Sequence, residues 1–168
     1  PYFRSPMEIV IRKAEPKDVP AIMGLVRELA LFEKAPEEVV NTEEKMLKDG
    51  FGAHPAFQAF VAEDSSTATV VGICLYYTAY STWKGQYYFL DDIVVTETYR
   101  QFGIGRKLMN AFLRAAKDNE ISHIRWQVLD WNENAIKFYK SLGAHFDKEW
   151  YTCKMNGDTI NNYLQTQS

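Results

Sequence analysis

Ile93-Val94-Val95-Thr96-Glu97-Thr98-Tyr99-Arg100-Gln101-Phe102-Gly103-Ile104-Gly105-Arg106-Lys107 is the stretch whose reading decides the fold. An apolar, β-branched run ends at Val95, and a polar passage follows it. From Ile104 onward, Leu108, Phe112 and Ala115 or Ala116 recur on one helical face. The stretch is a strand-to-helix turn hinged on Gly103-Ile104-Gly105. Glycine reaches backbone angles closed to other residues and lets a ligand approach the main chain. Such a turn presents backbone N–H groups and the positive end of a helix, a combination that favours a phosphate anion. Arg100, Arg106 and Lys107 add local positive charge to a chain of net charge -3. A P-loop is excluded, because Arg106-Lys107 follows Gly105 where Lys and then Ser or Thr are required. The three-glycine dinucleotide fingerprint is absent as well. On its own the turn has two readings, a structural glycine turn or a pyrophosphate cradle.

Outward from this turn the elements alternate. Glu8 to Lys13 alternates apolar and polar residues as a strand, and Pro16 and Pro20 bracket a helix start. Ile22, Met23, Val26, Leu29 and Ala30 continue that helix to about Glu33. A shorter helix is expected from Thr42 to Asp49, with Thr42 as N-cap and Gly50 as its stop. Phe57 to Glu63, Val70 to Tyr80 and Tyr87 to Val95 read as strands, the last rich in aromatic and β-branched residues. Beyond the glycine turn and its helix, Ile121 to Leu129 returns as a strand. Asn132 caps a helix running to a Gly143 stop, and a last strand covers His145 to Met155. The order β-α-α-β-β-β-α-β-α-β predicts an α/β fold, a mixed sheet flanked by helices, with an antiparallel front half and one parallel pair.

A chain of 168 residues suits one domain with a substantial core. Residues 1–6 are expected to be an appended remnant, and 7–168 the domain proper. No membrane span or signal peptide is visible, so the cytoplasm is the expected location. The acidic balance offers no general attraction to nucleic acid or to an anionic membrane surface. Cys74 and Cys153 lie in apolar-patterned runs and are expected as buried, reduced thiols. His54, His123 and His145 stand far apart without metal-ligand spacing, are read as surface or loop residues, and no metal is expected.

Two signatures together resemble the GNAT superfamily of N-acetyltransferases. The first is Arg100-x-x-Gly103-x-Gly105 directly after Ile93-Val94-Val95. The second is Asn132-x-x-Ala135-Ile136-x-Phe138-Tyr139-x-x-x-Gly143. Arg27-Glu28-Leu29-Ala30, Asp49-Gly50-Phe51-Gly52 with His54-Pro55, Val61-Ala62-Glu63 and Tyr80-Ser81-Thr82-Trp83-Lys84-Gly85 resemble its diamine acetyltransferase subfamily. Val128-Leu129-Asp130-Trp131-Asn132, with the Ser81–Gly85 run, leans toward thialysine-type members rather than polyamine-type ones. The resemblance implies a splayed central strand pair forming an acetyl-CoA cleft. Ile93, Val94, Val95, Arg100, Gln101, Phe102, Gly103, Ile104, Gly105, Arg106, Asn132, Asn134 and Ala135 would hold the cofactor. It also implies a homodimer, for which the aromatic-rich terminal half is suited.

The implied reaction forms an amide from a thioester and an amine. An alkylamine has a pKa near ~10.4, so its proton must be removed before attack. A carboxylate, directly or through a water, contributes roughly 10²–10⁴-fold at such a step. Asp91 and Asp92 stand together in a strand, an unusual place for two acids. Strand alternation points them to opposite faces. By resemblance Asp91 binds the amine and takes its proton, with Asp92 in support. Tyr139 matches the family's general acid for the leaving thiolate, and backbone N–H groups of Ile93–Val95 would hold the oxyanion. Phe32, Glu33, Arg125, Trp126 and Gln127 match acceptor positions. Ser81 and Lys148 replace acids of the polyamine-type enzyme, which points to a shorter cationic acceptor. Two other readings are an enzyme for peptide N-termini or antibiotics, and a non-catalytic CoA-binding module.

Overall fold

The computed structural model describes residues 7–167, so the expectation for residues 1–6 lies outside the described residues. Five strands form one sheet in the order β1-β2-β3-β4-β5: β1 (Ile9–Lys13), β2 (Gln58–Asp64), β3 (Thr69–Ser81), β4 (Gly85–Val95) and β5 (Ile124–Trp126). The first four pair antiparallel, and β5 joins β4 in parallel. The helices are α1 (Val19–Phe32), α2 (Glu43–Phe51), α3 (Ile104–Asp118), α4 (Glu133–Ser141) and α5 (Gly157–Gln165). This is the expected mixed α/β sheet with flanking helices. The chain divides into two compact units between Gln127 and Val128.

In the first unit the sheet buries both faces. Val19, Ile22, Met23 and Leu25 of α1 and Met46 of α2 pack with Val61, Ile73, Leu75 and Val94. On the opposite face Phe112 of α3 meets Tyr76 and Tyr88, with ring centroids 4.9 and 6.3 Å away. The buried α3 residues Ile104, Leu108, Met109, Phe112 and Ala116 recur at three- and four-residue steps, as an amphipathic helix requires.

An ion cluster ties the start of α1 to the sheet. The Arg12 guanidinium donates to both oxygens of buried Asp18, at 2.7 and 2.9 Å, and also to Glu63. Burial is the largest influence and would raise the Asp18 carboxyl, but the Arg12 hydrogen bonds, the Glu15 backbone N–H and the positive charges of Arg12 and Lys17 together outweigh it, and the net shift is downward.

Several expectations are corrected. Thr42 does cap α2, accepting from Lys45 N at 3.2 Å, but the helix runs through Gly50 and ends at Gly52. Gly50 is buried where a side chain would strike the Phe57 ring, so its role is packing rather than termination. β5 is shorter than expected because Ile121 is used to close α3, its N–H donating to Ala116 O at 2.9 Å. Cys74 is buried, and burial pushes its thiol up to about 12, whereas Cys153 is exposed.

In the second unit Asn132 caps α4, accepting from Ala135 N at 3.2 Å. Gly143 has a left-handed φ of 83° just past that helix. The strand expected over His145–Met155 is absent. Its alternation is broken by Asp147-Lys148-Glu149, and Trp150, Tyr151 and Met155 are exposed. The structure instead ends in α5, which the sequence reading did not anticipate. Asn156 caps it through Thr159 N at 2.8 Å.

Candidate active site

β4 carries the site of the first unit, and its geometry comes from two departures from a regular sheet. The first is a parting of strands. β5 pairs with β4 only at Tyr88, Phe89 and Leu90, ending with Trp126 opposite Leu90. Asp91 to Val95 therefore continues without β5 along that edge, so main-chain groups on that side are not spent in a strand ladder. The second is a bulge. Tyr76 of β3 lies opposite Leu90, but Leu75 lies opposite Asp92, which leaves Asp91 as an inserted residue. Bulges bend a strand and re-aim its side chains.

The bulge changes which way the acids face. Before it, Phe89 stacks on Tyr77 with centroids 5.3 Å apart, on the face opposite Tyr76 and α3. After it, Val94 belongs to the core against α1, and Asp92 shares that face two residues earlier. Asp91, two residues past Phe89, also lies on the α1 face. The expectation that adjacent strand residues point apart is corrected here: the inserted residue lets both carboxylates address one side.

Electrostatics follow from that crowding. Burial first, then the negative charges of Asp91 and Glu33, push the Asp92 carboxyl up to about 7. Asp91 is more exposed, yet desolvation along the strand still raises it. Glu33, just past the end of α1, is raised by desolvation. Desolvation and then Asp91 raise the Tyr77 phenol. A carboxyl titrating near neutrality, beside two other acids, is suited to receive a proton from a bound cation.

The glycine turn lies beyond Val95 in the same unit. Gly103 is the N-cap of α3 with φ 75°, in the left-handed region, and Gln101 also has a positive φ of 68°. Lys107 N donates to Gly103 O at 3.1 Å and begins the helical ladder. The N–H groups of Gly103, Ile104 and Gly105 thus face out of the helix start. A Cβ on Gly105 would meet nothing nearer than Val95 Cγ2 at 4.0 Å. Packing does not require a glycine there, whereas close approach of a ligand to the main chain does. The turn therefore fits a pyrophosphate.

The remaining expected residues are distributed as follows. Arg125 sits over the Tyr87 ring at 4.7 Å, and Phe32 lies under the Arg100 guanidinium at 5.8 Å. Trp126 is opposite Leu90 and shares its α3 face, away from the acids. Gln127 is exposed. Asn132, Asn134 and Ala135 form the start of α4 in the second unit, and buried Tyr139 follows on that helix beside Phe138 at 5.5 Å.

The sequence reading missed Tyr77, whose only signal was its place in an aromatic strand, and Glu28, which it quoted within a motif but gave no role. Of the histidines, His54 and His145 are exposed. His123 stacks on Tyr87 at 4.9 Å and belongs to the sheet edge rather than to the acid cluster. Among the described residues no group of His, Cys, Asp and Glu is placed to hold a metal, and no helix is long and apolar enough to cross a membrane.

Residues 25–144 match the family described as Acetyltransferase (GNAT) family. The chain belongs to the GNAT acetyltransferase family. It is an acetyl-transferring enzyme, and acetyl-CoA is the donor on which GNAT enzymes draw. Among its relatives is a "Thialysine N-epsilon-acetyltransferase" of Bos taurus, 40% identical over 161 residues, covering 90% of this chain and 95% of the relative. A protein of the same description from Caenorhabditis elegans is 37% identical, covering 88% and 92%. These relatives fit the diamine acetyltransferase branch of the GNAT family. A solved integron cassette protein from V. cholerae shares the GNAT fold of this chain with a TM-score of 0.75 at 21% identity, covering 95% of this chain and 99% of that one.

Proposed function

We propose that this GNAT enzyme acetylates the side-chain amine of a thialysine-like amino acid or a short diamine by direct transfer from acetyl-CoA. The observation that carries the reading is the paired acids of the β4 bulge, with Asp92 titrating near neutrality beside Asp91 and Glu33. In this account Asp91 holds the ammonium group and the Asp91–Asp92 pair takes up its proton, directly or through water. The freed amine attacks the thioester carbonyl, forming the C–N bond. Backbone N–H groups of Ile93–Val95 hold the oxyanion until the C–S bond breaks. Tyr139, by its family position on α4, protonates the departing thiolate, and the proton left on the attacking nitrogen passes to the Tyr139 oxygen, directly or through water, as the amide forms. Ile93–Val95, Gln101–Arg106, Arg100, Asn132, Asn134 and Ala135 bind the cofactor. Phe32, Glu33, Arg125 and Gln127 are the acceptor candidates, while Trp126, on the α3 face, is set aside. The two units act as one acetyltransferase domain, a reading supported by a family match that crosses residue 127. A cytoplasmic homodimer completes the proposal, with exposed Trp150, Tyr151 and Met155 as surface for a second copy.

The acceptor is chosen by charge. A polyamine needs several anionic partners along an extended chain. Ser81 and Lys148 leave its far end without them, while Lys148 or Arg125 suits the α-carboxylate of an amino acid. Competing spermine and thialysine in one tube, with the products weighed by mass spectrometry, tests this. Acetylthialysine should dominate, and Ser81→Asp should shift the ratio toward the polyamine. A large excess of acetylspermine would overturn the assignment.

A further inference from the structure

Glu28 lies on α1 one turn before Phe32 and Glu33, and its carboxylate is spent entirely on the passage from β4 to α3. Oε2 accepts from Thr96 Oγ1 at 2.8 Å, and Oε1 accepts from Glu97 N at 2.9 Å. Arg100 Nη2 approaches the same Oε1 at 3.5 Å, while Arg100 Nε donates to Val95 O at 3.0 Å. One side chain thus reaches both ends of the passage, and the glycine turn begins at the next residue, Gln101. Two further anchors lead to the sheet: Thr96 N donates to Val71 O at 2.9 Å, and the Tyr99 hydroxyl donates to Asp64 Oδ2 at 3.0 Å.

We propose that Glu28 is a positioning residue that holds the 96–100 passage and Arg100 in place, so that the turn from Gln101 to Gly105 meets the cofactor pyrophosphate already ordered. The inference rests on the pyrophosphate reading of that turn. Residues 96–100 form only a short 3₁₀ turn and are largely exposed, so without a tether they would lose conformational freedom when the cofactor binds. Ordering them beforehand lowers that cost. A carboxylate is suited to the task because its hydrogen bonds are charge-assisted. Arg100 and the two donors offset its negative charge near a phosphate site. The same helix carries Phe32 and Glu33, and the Arg100 guanidinium stands over the Phe32 ring. The tether therefore also joins the cofactor turn to the helix bearing two acceptor candidates.

The test compares CoA with pantetheine, which lacks the pyrophosphate, on folded wild type, Glu28→Ala and Glu28→Gln. Glu28→Ala should weaken CoA binding about tenfold, as expected for losing hydrogen bonds to a charged group, and leave pantetheine binding unchanged. Glu28→Gln, which keeps one acceptor oxygen, should recover part of the loss. KM for acetyl-CoA should rise by a larger factor than kcat falls. Thr96→Val, which removes one of the bonds, should show the same CoA-selective loss at smaller size, and it carries the test if Glu28→Ala does not fold. Unchanged CoA affinity in these variants, or equal losses for CoA and pantetheine, would overturn the role of Glu28. A wild type that binds CoA no better than pantetheine would instead remove the pyrophosphate reading, and this inference with it.

Discussion

Asp91 and Asp92, neighbours in β4, face the same side of the sheet because Asp91 is inserted between the positions opposite Tyr76 and Leu75. In a regular strand one of them would have turned toward α3. The insertion places two carboxylates beside Glu33, and burial, followed by the negative charges of Asp91 and Glu33, pushes Asp92 up to about 7. A backbone irregularity of one residue thus brings together the two carboxylates that the proposed mechanism uses.

Stability should record the same crowding. Asp92 has an ordinary value of 3.8 and is pushed up to about 7 in the fold. Between those values the folded chain keeps a proton that the unfolded chain has released, so native stability declines as pH rises through the window. Asp92→Asn cannot ionise and escapes the decline. Its melting temperature relative to wild type should climb between about pH 4 and pH 8. A difference that stays constant with pH would contradict the raised carboxyl.

The cofactor turn makes a separate prediction. CoA should raise the melting temperature of the wild type by binding the native state alone. Gly105→Val should fold, since a Cβ at Gly105 would meet no other segment nearer than Val95 Cγ2 at 4.0 Å, yet lose the CoA-induced shift. Gly103→Val should lose the shift and also some stability, because its φ of 75° is strained for a β-branched residue. A full CoA shift in both variants would show that the turn does not face the cofactor.

Tyr139→Phe tests the proposed general acid. Tyr139 is buried on α4, and removing its hydroxyl leaves the ring for packing. The variant should fold, bind CoA normally and lose at least about tenfold in kcat. Wild-type turnover at saturating cofactor would leave Tyr139 a packing residue.

Arg12→Ala tests the scaffold. Removing the guanidinium strands the carboxylate of Asp18, which is only 4% exposed, and also unpairs Glu63. Chemical denaturation should show a loss of about 3 kcal/mol, the lower end for breaking a buried pair, because Arg12 itself is partly exposed. A loss within experimental error would mean that water replaces the guanidinium freely.

Periodicity made most of the fold legible. The spacing of Ile104, Leu108 and Phe112 gave α3, Thr42 and Asn132 announced their caps, and Gly103-x-Gly105 marked the turn into α3. What escaped depends on pairing between distant segments. The Asp91 insertion exists only against β3, so strand alternation pointed the two acids apart. His145–Met155 has the composition of a strand but forms none, and the short polar α5 gave too weak a pattern to be seen. Glu28 could be recognised as part of a motif, but its bonds to Thr96 and Glu97 span 68 and 69 positions of chain.

The pH dependence of kcat/KM for thialysine, measured at constant ionic strength on wild type and Asp92→Asn, tests the central claim that the bulged acids take the proton of the attacking amine. For wild type the rate should rise through an ionisation near 7, the value at which Asp92 releases its own proton and becomes able to accept another. In Asp92→Asn that ionisation should vanish, and the rate should fall at least about tenfold across the range. An Asp92→Asn profile that keeps the wild-type step near 7 and the wild-type rate would contradict the account.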